Sequence, residues 1–164
     1  MATTATNFNS LPQVIKGNIG ESIVDALLLE WGEVLYKPIS DIAHPFDRLC
    51  VGKNRFFYIA EVKTKPARRI YPDTGIDIRH YISYKAAWQA QNLDTFLFFV
   101  DDGKNEIYGN WLSDLERKIT VLHGGKALEY PLIQQNIIYF PLVLMKHIYK
   151  LKQEEIQKLK DLNP

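Results

Sequence analysis

The chain has 164 residues, of which 46% are hydrophobic and 24% charged, with a formal net charge of +1. That length suits one globular domain able to bury about two-thirds of its extended-chain surface, and the near-zero charge points to no particular class of partner. A single cysteine, Cys50, excludes an internal disulfide and a cysteine-based zinc cage.

Residues 1–10, MATTATNFNS, are small and polar and read as a flexible N-terminal tail preceding one domain over 11–164. They carry neither the basic start nor the apolar segment of a signal peptide. The longest apolar runs, such as TFLFFV at 95–100, are too short to span a bilayer. The expectation is a cytoplasmic protein with no membrane partner.

An amphipathic helix is expected from about Ile15 to Trp31, where Ile19, Ile23, Val24, Leu27, Leu28 and Trp31 recur at helical spacing and Gly32 ends the run. Glu21 falls at the edge of that apolar face. Short strands follow at about 33–37 and 45–51, then a longer one at about 55–65. A loop rich in Arg, Pro, Asp and Gly is expected from Pro66 to about Ile78. A second helix over about 79–92 carries Tyr81, Tyr84 and Trp88 on one stripe, a spacing that also suits ordinary packing against a sheet. DTFLFFV reads as a buried strand, turned by Asp102-Gly103 into EIYGNW. Gly124-Gly125 marks another turn, NIIYF at 136–140 a last strand, and a C-terminal helix is expected from Pro141 or Leu142 to about Leu162. The order describes a mixed α/β layer fold.

Within FYIAEVKTKP, residues 57–66, Glu61 and Lys63 lie two apart on a strand and so share a face with Phe57 and Ile59. The preceding strand carries Asp47 in line with Leu49 and Val51. A hairpin turning at Gly52-Lys53-Asn54 brings Asp47 towards Glu61, and Glu21 is a third carboxylate able to approach the same end. Carboxylates crowded beside one lysine repel each other unless a cation compensates. Mg²⁺ takes hard oxygen ligands of this kind, commonly one or two carboxylates plus waters and phosphate oxygens. A neighbouring lysine suits the orientation of a water or the neutralisation of charge on a scissile phosphate. The plainer alternative is a surface ion pair on a half-exposed strand.

The PFD and AEVK segments, with residues 48–60 between the two acids, resemble the PD-(D/E)XK nuclease superfamily, in its restriction-endonuclease-like and Holliday-junction-resolvase-like branches. The resemblance spans roughly residues 15–100. It implies an α/β fold with a restriction-endonuclease-like αβββαβ core, a mixed central sheet flanked by helices, and here a C-terminal hairpin and helix. In this sequence Phe46 separates Pro45 from Asp47. The resemblance implies Asp47, Glu61, the Val62 carbonyl and Glu21 as metal ligands for Mg²⁺ or Mn²⁺, with Lys63 as the catalytic lysine and Glu21 as an accessory acid.

From Arg48 to Lys85 nine Lys and Arg residues stand against three acids, the footprint of a phosphate backbone or of a solvated loop. Lys65, Arg68, Arg69 and Arg79 follow the motif and, with His80 and Tyr84 of the second helix, are expected to bind substrate. His80 and Tyr84 share one edge of the second helix with Gln91, while Lys85 and Gln89 share another; spacing alone does not choose between them. The expected function is metal-dependent endonucleolytic hydrolysis of phosphodiester bonds in DNA. The alternative is a catalytically inactive nuclease-fold module that binds nucleic acid or a protein partner. A homodimer and membership of a larger nucleic-acid-processing complex are arrangements the sequence leaves open.

Overall fold

The computed structural model describes residues 11–38 and 46–161. The expected tail at 1–10, Pro45 with the start of its strand, and the expected helix end at Leu162 lie outside the described residues. Helix α1 (Pro12–Glu30) begins with proline at its first turn, where no amide donor is needed. It ends just before Gly32, whose φ of 80° lets the chain reverse. Strands β1 (Val34–Tyr36), β2 (Arg48–Val51) and β3 (Phe57–Thr64) form an antiparallel meander. The Gly52–Phe56 turn is closed by the Gly52 N–H donating to the Phe56 carbonyl at 3.0 Å.

Strand β4 (Asp73–Asp77) leads into α2 (Ile78–Gln91), capped by the Asp77 carboxylate, which accepts the Arg79 N–H at 2.8 Å. Then come β5 (Thr95–Asp101), β6 (Glu106–Trp111) and a single turn of helix, α3 (Leu112–Leu115). A hairpin of β7 (Ile119–His123) and β8 (Lys126–Tyr130) turns at Gly124-Gly125. Strands β9 (Leu132–Gln134), β10 (Ile137–Pro141) and β11 (Lys146–Lys150) precede helix α4 (Gln153–Lys160).

The main sheet has the order β1-β2-β3-β5-β6-β11, and β3 with β5 is its one parallel pair. Parallel pairing requires a crossover, here β4 and α2. A small sheet, β4-β10-β9, accompanies that crossover. Helices α1 and α4 cover one face, where Val24, Leu28, Cys50, Tyr58, Val62 and Phe98 pack together. The other face buries Ile59, Leu97 and Phe99 with Tyr84 of α2, Ile76 of β4 and Phe140 of β10. Burial on both sides explains the nearly unbroken apolar runs in β3 and β5. At Gly20, α1 presses on Thr64 of β3 so closely that a Cβ would collide with the threonine hydroxyl.

Two expectations are corrected. The segment 66–78 is not all loop, because Asp73–Asp77 form β4, paired with β10 from Asp73↔Pro141 to Asp77↔Ile137. The long C-terminal helix is replaced by a 3₁₀ turn (Leu142–Leu144), strand β11 and the short α4. The β6 edge supplies backbone partners for β11, and Ile148 and Tyr149 pack against the core beneath α1 and α4. These long-range contacts override the apolar run's local helical reading. No described helix is long and apolar enough to cross a membrane.

Candidate active site

The β2–β3 register pairs Arg48 with Ala60, and one step further sets Asp47 opposite Glu61. Asp47 is fixed there because its Oδ2 accepts the Val62 N–H at 3.2 Å. Side-chain alternation turns Arg48 and Cys50 towards α1, and Glu61 with Lys63 towards α2. Glu61 is only 1% exposed, and its Oε1 forms an ion pair with Lys63 Nζ. Its other oxygen, Oε2, is buried without a hydrogen-bond partner. Burial pushes the Glu61 carboxyl up to about 7, and Asp47 adds to the rise while Lys63 opposes it.

Helix α2 presents its His80–Tyr84 edge to this centre. His80 Nδ1 lies 3.8 Å from Glu61 Oε1. Burial and the positive charge of Lys63 lower the imidazole's pKa, so His80 is neutral near pH 7. Tyr84 is 1% exposed, and burial together with the Glu61 charge raises its pKa, which keeps the phenol protonated. Lys85, on the other edge, pairs with Glu116 at 2.7 Å.

Glu21 is held elsewhere. Its contacts are with Arg48 Nη2 at 3.1 Å and Lys37 Nζ at 3.6 Å, not with Asp47 or Glu61. Arg48 is fully buried and reaches Asp25 at 2.5 Å as well as Asp47 at 3.9 Å. Sequence reasoning did not single out Arg48 or Asp25. The available signal was an arginine in register with the buried Cys50, since a buried guanidinium needs carboxylate partners.

The expected substrate-binding cations separate into groups. Lys65 follows Lys63 along the chain, and burial with the Lys63 charge lowers its ammonium to about 8. Arg68 is already fully engaged: it binds Asp73 through two nitrogens at 2.5 and 2.6 Å and lies 4.4 Å from the Tyr71 ring and 3.7 Å from the Tyr139 ring. Arg79 is exposed and turns back on Asp77 at 3.0 Å. Arg69 is exposed and makes no ion pair with a described residue.

Among the described residues no three His, Cys, Asp or Glu side chains gather closely enough to hold a metal. The pair Asp47 and Glu61 still fits a hard divalent cation, which commonly takes two carboxylates and completes its shell with water. Glu61 Oε2, a buried acceptor lacking a donor, is the atom such an ion would satisfy.

No protein-family model matches the chain, and no curated protein matches it in sequence. In structure it is similar to Hjc, a Holliday junction resolvase of the archaeal hyperthermophile Archaeoglobus fulgidus. The TM-score is 0.51 at 11% identity, covering 78% of this chain and 90% of that one. The likeness is one of fold, a mixed sheet flanked by helices. This chain therefore has a restriction-endonuclease-like fold, the mixed α/β architecture it shares with that resolvase.

Proposed function

We propose that this protein is a divalent-metal-dependent endonuclease that hydrolyses phosphodiester bonds in DNA. The observation that carries the reading is Glu61, buried with one partnerless oxygen, facing Asp47 and paired with Lys63 on the central strand of a nuclease fold. Mg²⁺ or Mn²⁺, held by Asp47, Glu61 and the Val62 carbonyl, would supply positive charge to the phosphate and acidify a bound water. Lys63 places an ammonium where negative charge grows on the phosphate oxygens. Neutral His80 at the rim is suited to accept a proton, and protonated Tyr84 is a buried donor beside Glu61. Lys65 and Arg69 hold the backbone in register. Glu21, through Arg48, acts as a positioning residue for the start of β2. Paired cuts in duplex DNA suit a homodimer.

A second reading, a binding module without catalysis, is favoured by the engagement of Glu21 with Arg48 and the lack of a third acid beside Glu61 among the described residues. A Mn²⁺-dependent cleavage panel separates the two, using linear, supercoiled, single-stranded and four-way-junction DNA. Wild-type protein should cut at least one substrate, and Lys63→Ala and Glu61→Gln should each reduce the rate roughly 100-fold or more. Cleavage that persists in both variants, or no cleavage together with no Mn²⁺ binding by calorimetry, sinks the enzyme reading.

A further inference from the structure

A depression of about 630 Å³ opens where the chain leaves the proposed catalytic strand, a volume typical of small-ligand pockets. Its wall begins at Pro66, three residues beyond Lys63 and so no more than about 10 Å of chain away. The opposite wall is the β5–β6 turn, from Asp101 to Lys104, with His123 of the β7–β8 hairpin closing one side. His123 Nε2–H donates to the Ile70 carbonyl at 2.8 Å, which ties the hairpin to the loop.

The charges lining this depression are unequal in availability. Asp101 is buried and accepts the backbone N–H groups of Ala67, Gly103 and Lys104 at 2.9–3.1 Å. Asp102 is paired with Lys16 at 2.6 Å. Arg69 and Lys104 are exposed, and neither forms an ion pair with a described residue. What the depression offers a ligand is therefore positive charge.

It also offers an aromatic surface. Tyr71 is 37% exposed and lines the depression, while the Arg68 guanidinium lies over its ring. Arg68 is in turn stacked on Tyr139 and gripped by buried Asp73. The ring thus rests on a rigid base rather than on a free side chain. A platform of this kind beside cations matches the chemistry of a nucleotide: the base stacks and its phosphates meet Arg69 and Lys104. Bases inside a duplex are already stacked on one another, so only a base outside a duplex can reach Tyr71.

We infer that this depression is a subsite for an unpaired nucleotide flanking the bond to be cut, with Tyr71 stacking the base and Arg69 and Lys104 holding its phosphates. That the nucleotide flanks a bond to be cut rests on the nuclease reading, but the binding itself does not require catalysis. It selects substrates with an overhang, flap or single-stranded stretch over blunt duplexes.

The test is fluorescence anisotropy in EDTA with a labelled thymidine dodecamer, a uridine dodecamer and a blunt duplex of equal length. Tyr71→Ala should weaken binding to one or both single strands roughly tenfold while leaving the duplex nearly unchanged, and Tyr71→Phe should restore it. Arg69→Ala combined with Lys104→Ala should lower the salt dependence of single-strand binding by about 1.4 in log–log slope. Whichever strand responds more to Tyr71→Ala identifies the sugar the subsite accepts. If both the Tyr71 and the double variant bind all three probes as wild type does, the inference is overturned. If Tyr71→Ala unfolds, the double variant still decides, because both cations are exposed. Loss of single-strand binding in these variants, with no cleavage by wild type in any metal, would keep the subsite and discard the nuclease. Cleavage that needs Lys63 but ignores Tyr71, Arg69 and Lys104 would do the reverse.

Discussion

Glu61 and Asp73 are both essentially excluded from solvent, at 1% and 0% exposure, yet they are treated in opposite ways. Asp73 receives Arg68 through two nitrogens and the Tyr130 hydroxyl at 2.6 Å, so both its oxygens are occupied. Glu61 has one lysine on one oxygen, a second carboxylate as neighbour, and nothing on Oε2. A buried carboxylate whose donors are complete belongs to the architecture. One left short of donors costs stability, and the fold retains it where a ligand from outside can complete it. The contrast separates the clasp that locks the 66–72 loop to the small sheet from the proposed metal centre.

Breaking the satisfied partner should have the largest effect. Asp73→Ala leaves the Arg68 guanidinium against two tyrosines without its counter-ion, and should destabilise the protein by about 3 kcal/mol in urea unfolding. A change below about 1 kcal/mol would mean that Asp73 is not the anchor its contacts describe.

Glu61 should behave in the opposite sense. Its folded pKa of about 7 lies above the ordinary value of 4.5, so between those values the native state holds more protons than the unfolded state. Stability from this group is full below about pH 4.5 and is lost as pH rises through about 7. In metal-free buffer the loss amounts to about 3 kcal/mol. Glu61→Gln should remove that slope, making the variant's stability relative to wild type increase from pH 5 to pH 8. A parallel pH dependence in the two proteins would refute the assignment.

An added cation should narrow the difference between the two carboxylates. Mn²⁺ at about 100 times its dissociation constant should stabilise wild type by about 2.7 kcal/mol, or about 5–10 °C in Tm for a chain of this size. The shift should vanish in Asp47→Ala and survive in Arg69→Ala. The smallest expected effect belongs to Tyr84→Phe. Loss of the hydroxyl beside Glu61 should cost about 1 kcal/mol and move the Glu61 titration further upward in carbon-detected NMR, since a phenol dipole near the carboxylate favours its charged form.

How these two carboxylates were legible in the sequence differs for a physical reason. The β2–β3 hairpin announces itself through alternation and a short turn, so the approach of Asp47 to Glu61 could be read from spacing alone. Asp73 lies in DTGID, where Ile76 is the one large apolar side chain, and its partners, the Tyr130 hydroxyl and Pro141 across the ladder, come from more than fifty residues away. Nothing local marks such a segment as a buried strand. The same reason hid β11, whose strand character depends on the β6 edge. Glu21 was correctly placed on α1, but the sequence did not disclose that Arg48, pointing to the α1 side of the sheet, would bind it. A charged residue's face can be read from alternation, whereas its partner depends on how two elements are seated together.

That seating is set at one point. Because α1 meets Thr64 through a glycine, with no room for even a methyl group between them, the helix has a single depth and rotation relative to β3. Thr64 is the residue next to Lys63, so this contact is a datum for the whole centre. It holds Glu21 and Asp25 at the height of Arg48, and Arg48 in turn fixes where Asp47 begins its strand. A bulkier residue at position 20 would disturb the site by lifting its frame, without touching any group that meets the substrate.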